Sequence, residues 1–309
     1  MDVQLELTTC QVETTTPVLG DRTELLAELH RLRRTVARAA DDCGATLLAV
    51  GMPLSVPHEF PVTCTSRYRR IADRFGMLAH EQGISGCHVH VAVPDKDAAV
   101  RVCTGLRPWL PLLLALSANS AIYRNADTGY ASWRHIQWNR WPSAGPPPHL
   151  NSAAEYDAAV ALMAKAGAVL DDGMVYWDAR PSAKFPTVEV RVADVPATAA
   201  ETVLLATLIR AAVMTVSRRR SPVIPEPLLR ATYWRCARDG IEGPTPAALT
   251  ELVDDLSPAL EEMGDLEYVR DELRRVLQDG NGAVRQRRAW RRRGDIRDVI
   301  AELAAATVA

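Results

Sequence analysis

The sequence has little that would serve a nucleic acid, a membrane or a disulfide framework. Its 36 basic and 38 acidic side chains leave a formal net charge of -2, so no overall field holds a polyanion or a membrane surface. The six cysteines are scattered without a Cys-x-x-Cys pair, two of them in helical segments, which is the pattern of reduced thiols in a cytosolic protein. The N-terminal MDVQLELTTC has neither a basic region nor an apolar run, so no signal peptide is expected. The longest apolar run, WLPLLLALSA from Trp109 to Ala118, is too short to cross a bilayer and reads as a buried helix. Lysine occurs only at Lys96, Lys165 and Lys184, none followed by Ser or Thr, which excludes a Gly-x-x-x-x-Gly-Lys-Ser/Thr phosphate loop. Gly-x-Gly-x-x-Gly and Gly-x-Ser-x-Gly are absent as well, so any phosphate bound here must be held by metal and arginine. Internal repeats and low-complexity tracts are also missing.

What is there is ordinary globular material, 48% hydrophobic and 24% charged over 309 residues, enough for a full core. The first twenty residues read as extended. Asp21 and Glu24 form a capping-box pattern, and Leu25, Leu29, Leu32 and Val36 give the following helix one buried face up to Gly44. A strand TLLAVG, a proline-rich loop carrying His58, and a polar helix SRYRRIADRFGMLAHEQ lead into a strand GCHVHVAVP. Two helices follow, the second entered at Pro108 as a first-turn proline. From Asn119 to Leu150 a long aromatic and polar stretch has little periodicity and reads as a functional loop, with His135 and His149 in it. A helix over 153–171, a strand TVEVRVA, and helices from Thr198 onward complete the chain, broken at SPVIPEP and GIEGPTP. Strands in the first two thirds and helices in the last give an α+β class with an antiparallel sheet, in one domain spanning residues 1–309.

Three strands each carry a polar pair at period two: Gln11 with Glu13, His88 with His90, and Glu189 with Arg191, each opposite valines. Two carboxylates, two imidazoles and a guanidinium on one surface suit Mg2+ or Mn2+, since hard oxygen ligands prefer those ions, with the arginine fork on a phosphate. The plainer alternative for any single pair is the solvent face of a half-exposed sheet. The arginine runs Arg218 to Arg220 and RQRRAWRRRG read as solvated helix faces balanced by nearby acidic helices, with a local anion site at Arg285 or Arg287 left open.

The runs GCHVHVAVPDKDAAVRV, LRPWLPLLLALSANS, DTGYASWRHIQWNRWPSAGPPP and WDARPSAKFPTVEVRVADV, with QVETTTP near the start and GNGAVRQR near the end, resemble the carboxylate-amine ligase family, also called glutamate-cysteine ligase type 2. The resemblance covers nearly the whole chain. It implies a glutamine-synthetase-like antiparallel sheet funnel with helices packed on its outer face, holding ATP through Mg2+ or Mn2+. It implies phosphorylation of a substrate carboxylate and attack by an amine, with weak glutamate-cysteine ligase activity. By the same resemblance Glu13, His88 and Glu189 are metal ligands, Arg191 clamps the γ-phosphate, His90 either stands behind the metal ligands or on the phosphate side, and Arg180 and Arg285 also bind nucleotide. Arg124, Tyr130 and Arg134 bind the amino-acid substrates, and neither nucleic acid nor membrane is a partner. Family members begin with a Glu-rich strand, Gly-Val-Glu-Glu-Glu or a close variant, that this sequence lacks. That difference implies an N-terminally truncated member with open strand edges that favour homo-oligomers. It keeps two further readings in view, a non-catalytic paralogue or one subunit of a split enzyme. A zinc hydrolase built on His-x-His is a third, weaker one, because the remaining histidines fall in helices and loops.

Overall fold

A computed structural model describes residues 3–57, 59–219 and 222–309; His58, Arg220 and Ser221 lie outside the described residues. In chain order the elements are β1 (Val3–Leu5), β2 (Val12–Thr14), α1 (Arg22–Asp42), α2 (Ser66–Phe75), α3 (Met77–His80), β3 (Gly86–Ala92), α4 (Lys96–Leu106) and α5 (Leu110–Ser117). Then follow β4 (Ile122–Tyr123), β5 (Ala126–Asp127), α6 (Trp133–Trp138), α7 (Ala153–Lys165), β6 (Ala179–Pro181) and β7 (Thr187–Asp194). The last third is helical: α8 (Ala199–Arg218), α9 (Glu226–Asp239), α10 (Thr245–Met263), α11 (Leu266–Asp279), α12 (Gly282–Arg293) and α13 (Ile296–Val308).

The organising element is a three-stranded antiparallel sheet in the order β3-β7-β6. The alternation TVEVRVA makes β7 a strand, and its valines Val188, Val190 and Val192 are fully buried on one face. Helices α4, α5 and α8 pack over that face, their leucines and alanines joining the three valines in the main core. Each such leucine or valine taken from water contributes roughly 1.5–3 kcal/mol. Helix α8 is long and apolar enough to span a membrane, but most of it is buried between the sheet and α1, α10 and α11. A capping box between Thr198 and Glu201 starts it. The mixed class and the antiparallel sheet therefore stand as read from the sequence.

Local expectations fail in five places. TLLAVG is not a strand: the Ala49 amide donates to the Thr307 hydroxyl of α13 at 2.8 Å and the Gly51 amide to the Asn119 carbonyl at 3.0 Å, so no ladder is needed. The long polar helix breaks into α2 and α3 at Gly76, which takes φ 55, a left-handed conformation natural to glycine. Pro111, not Pro108, stands in the first turn of α5, and α7 ends at Lys165. The stretch 119–150 holds the β4–β5 hairpin, whose turn residues Arg124 and Asn125 have φ 51 and 58, and the helix α6, capped by Ser132.

One buried carboxylate fastens that stretch to the sheet. Asp194, at the end of β7, is wholly buried and accepts from the Asn119 amide at 2.9 Å, the Ser120 hydroxyl at 2.7 Å and the Ser132 hydroxyl at 2.8 Å. Arg134 approaches it at 3.8 Å. A Cβ at Gly51 would collide with this carboxylate, which accounts for the glycine. Removing Asp194 leaves three donors and a guanidinium without their acceptor. Asp194→Ala is therefore expected to lose about 3–5 kcal/mol in urea unfolding; an unchanged midpoint would contradict this role.

Candidate active site

The polar face of β7 meets its neighbours in register. His90 of β3 and Arg180 of β6 both stand opposite Glu189, forming one row across the sheet. Between Cys87 and Val89 the register shifts, so that Arg191 and Val192 together face His88. Such a bulge bends the strand and re-aims a side chain. Here it brings the Arg191 guanidinium to 3.4 Å from His88 Nδ1.

Glu189 is the centre of the cluster. Arg180 Nε donates to its Oε2 at 2.8 Å, and Arg191 donates to its Oε1. Burial alone would raise the Glu189 carboxyl, but the charges of Arg191 and Arg180 outweigh it and hold the group well below the usual carboxylate range. His88 is pushed well below the ordinary imidazole value, by burial first and then by Arg191. Its ring is therefore neutral, and its 3.5 Å approach to Glu189 is not an ion pair. His90 is lowered by burial too, and its Nδ1 lies 2.9 Å from the Thr187 hydroxyl.

The β1–β2 hairpin brings further carboxylates. Gln11 accepts from the Thr8 hydroxyl at 2.5 Å and donates to the Ile84 carbonyl, which fastens the hairpin to the approach of β3. Glu6 is pushed up to about 7 by burial, with the Glu13 carboxyl as its neighbour and the Arg191 charge acting against the rise. The sequence reading missed Glu6; its only signal is the alternation Leu5-Glu6-Leu7, which reads equally as surface.

Among the described residues no three His, Cys, Asp or Glu side chains converge as a ligand set. His88 Nδ1 comes within 3.5 Å of Glu189, but both Glu189 oxygens are engaged by arginines, and Glu13 does not complete a set with them. Nor, among the described residues, does a third histidine join His88 and His90. His135 lies in α6, buried and stacked on Tyr233 at 5.2 Å and 10°.

The other expected residues separate. Arg134 is buried against the end of the sheet, donating to the Val192 carbonyl at 3.3 Å and stacked over Trp138, so it offers no open face to a substrate. The chain has Gly86 where any Cβ would strike this guanidinium. Arg124 is exposed on the β4–β5 turn and lines an open cleft of about 290 Å³ with Val56, Pro57 and Asn125. Tyr130 lies under Arg238, its hydroxyl accepting from Trp234 Nε1 at 3.3 Å. Arg285 does not join the cluster: Glu201 of α8 takes its guanidinium at 2.7 and 3.1 Å. A second residue the sequence reading passed over is Asp178, in WDARPS. Its carbonyl accepts from the Arg191 amide at 2.7 Å. Burial pushes its carboxyl up to about 6, with the Tyr233 hydroxyl, Arg134 and Arg191 close enough to lower it in part. Asp178 Oδ2, Tyr233 Oη and the Nε atoms of Arg134 and Arg191 are all buried without a hydrogen-bond partner, so the Asp178–Tyr233 approach does not close into a bond.

The model of the glutamate-cysteine ligase family 2 matches residues 1–302. The chain belongs to this family. It is 60% identical to the protein named "Putative glutamate--cysteine ligase 2-3" of Mycolicibacterium smegmatis, covering 100% of this chain and 89% of that one. A similarly named protein of Nocardia farcinica is 57% identical, over 100% of this chain and 85% of the relative. In three dimensions the family member resembles a bifunctional glutathione synthetase from Pasteurella multocida at 15% identity and a TM-score of 0.73. That match takes in 99% of this chain and 47% of the other, so this chain spans just under half of that protein, and the likeness bears on the fold alone.

His135 makes the acid sensitivity of the fold testable. Burial lowers it from 6.5 to about 3, so below pH 6.5 the unfolded chain binds a proton the folded one refuses. This contribution is complete above pH 6.5 and is lost as pH falls toward 3, at about 1.4 kcal/mol per unit. Asp178, raised from 3.8 to about 6, acts in the opposite sense between those values, so the comparison must be with a variant. Between pH 6 and pH 5 the wild type should lose about 1.4 kcal/mol more than His135→Gln in urea titrations. Equal losses would mean that His135 titrates normally in the folded state.

Proposed function

We propose that this chain is an ATP-dependent carboxylate-amine ligase of the glutamate-cysteine type. In this reading ATP phosphorylates a side-chain carboxylate of an amino acid. The amine of a second amino acid then attacks the acyl phosphate and loses a proton, the amide forms, and ADP and phosphate leave. The observation that carries the proposal is the pair of arginines braced on Glu189, because phosphate transfer to a carboxylate brings two anions together and needs fixed cations. Family membership and relatives named for glutamate and cysteine support the choice of substrates.

The residues present fit a divalent cation in kind. Glu6 and Glu13 are crowded carboxyls beside the arginine cluster, and the rise of Glu6 toward neutrality is the cost such an ion would relieve. Together the two carboxyls offer hard oxygen donors, which suit Mg2+ or Mn2+. Bound there, the ion would neutralise phosphate charge. The chain's own contribution is orientation. Glu189 fixes both guanidinium groups, and the neutral His88 accepts from Arg191 and limits its rotation. Arg191 Nε is buried without a hydrogen-bond partner. The polar face of the sheet would form the wall of a funnel, with nucleotide toward Arg180 and His90 and the amino acids toward Arg124 and Tyr130.

ADP release should require Mg2+ or Mn2+ together with an amino-acid carboxylate. Glu189→Gln should abolish it, and Arg191→Lys should lower the rate by about one to three orders of magnitude, since lysine keeps the charge but loses the two-pronged grip. Wild-type turnover in both variants would reduce the cluster to structural ion pairs.

A further inference from the structure

Phenylalanine is rare in this chain, with three in 309 residues, and their environments differ sharply. Phe60 is buried, and Phe75 packs against Trp141 at 5.1 Å. Phe185, on the turn between β6 and β7, is 61% exposed. The ring stands exposed on a tightly held backbone and is open to a stacking partner.

The backbone is well determined. The Ser182 hydroxyl accepts from the amides of Lys184 and Phe185, both at 3.3 Å. The Ser182 amide donates to the Thr187 carbonyl at 2.9 Å, and the Thr187 amide donates back to the Phe185 carbonyl at 2.7 Å. The Val93 amide holds the Pro186 carbonyl at 3.0 Å. The ring is placed as well: it meets His90 edge to face, with centroids 6.1 Å apart and planes at 90°. His90 is itself held by Thr187 at 2.9 Å. That geometry satisfies the aromatic quadrupoles through an edge and leaves ring surface free.

Phe185 also stands at the right end of the sheet. β7 begins two residues after it, at Thr187, and Glu189 lies two strand positions further along, roughly 7 Å at the usual rise per residue. The ring stands at the turn end of the polar face, against His90, and the arginines that would grip phosphate lie further along the same face, on Glu189 opposite His90. Aromatic faces stack on nucleobases of any sequence because every base has a π-face.

We propose that Phe185 is the platform on which the purine base of the nucleotide stacks, with the triphosphate running along the polar face of β7 toward Arg180 and Arg191. The assignment rests on the nucleotide-dependent reading above and adds to it the location of the base. The amine substrate is the competing occupant of an exposed ring, and the test separates the two.

Binding of Mg-ATP and of Mg-tripolyphosphate, which has the phosphates but no base, is measured by titration calorimetry on the intact chain. Phe185→Ala should weaken Mg-ATP by about 5- to 150-fold, the range for losing one base–aromatic stack, and leave Mg-tripolyphosphate unchanged. Phe185→Trp should keep the ATP affinity, and Mg-ATP but not Mg-tripolyphosphate should quench the added indole fluorescence. Unchanged Mg-ATP affinity in Phe185→Ala, or equal losses for both ligands, overturns the platform while the ligase reading stands. A Phe185→Ala variant with normal ATP affinity and weakened binding of the amine substrate assigns the ring to that substrate and also overturns it. A wild-type chain that binds neither Mg-ATP nor Mg-tripolyphosphate overturns the nucleotide reading and the platform with it.

Discussion

The candidate site depends on one carboxylate held between two guanidinium groups on a central strand. Glu189 is 5% exposed and Arg191 8%, so neither charge can rely on water. Glu189 stays ionised because Arg191 is there, and Arg180 adds a second cation at 2.8 Å. Two cations on one anion leave a net positive patch, while the carboxylate prevents the guanidinium groups from repelling each other out of position. The brace is rigid because it stands on β7, the strand paired on both sides, with the apolar face beneath it sealed by α4, α5 and α8.

The bulge opposite His88 and the carboxylate of Asp194 extend this constraint in two directions. The bulge turns Arg191 toward His88, and burial keeps that imidazole neutral so that it can accept a hydrogen bond. Asp194 gathers Asn119, Ser120 and Ser132, which seats the hairpin carrying Arg124 and the helix carrying Arg134 against the same sheet end. Asn119 passes the connection on: Gln286 of α12 donates to its side-chain and backbone oxygens at 2.8 and 2.9 Å. The distant segment GNGAVRQR is thereby joined to the site's support through Gln286, and not through Arg285.

Strands β3 and β7 were legible because alternation of valine with His, Glu and Arg is a local pattern that needs no partner to be seen. The pairing of Glu189 with Arg191 on one face followed from it. The bulge was not legible, since a register shift exists only between two strands. TLLAVG carries the composition of a buried strand, yet its amides are answered by a hydroxyl of α13 and a loop carbonyl, which no local window contains. Helix α6 was hidden because its six residues, WRHIQW, are held by tertiary contacts such as the His135–Tyr233 stack and not by helix propensity. Arg285 was assigned through resemblance alone, and its ion pair with Glu201 depends on how α12 packs beside α8. Asp178 and Glu6 each sit as one acid in an apolar stretch, a pattern that surface positions share.

The central claim is that this cluster serves the joining of a carboxylate to an amine through phosphorylation of that carboxylate. Glutamate carrying 18O in its carboxylates, supplied with ATP, Mg2+ and cysteine, tests it most directly by mass spectrometry of the released phosphate. If the carboxylate is phosphorylated and then displaced, one labelled oxygen passes to each phosphate formed. Phosphate released without label would mean that ATP is hydrolysed by water, and would contradict the account.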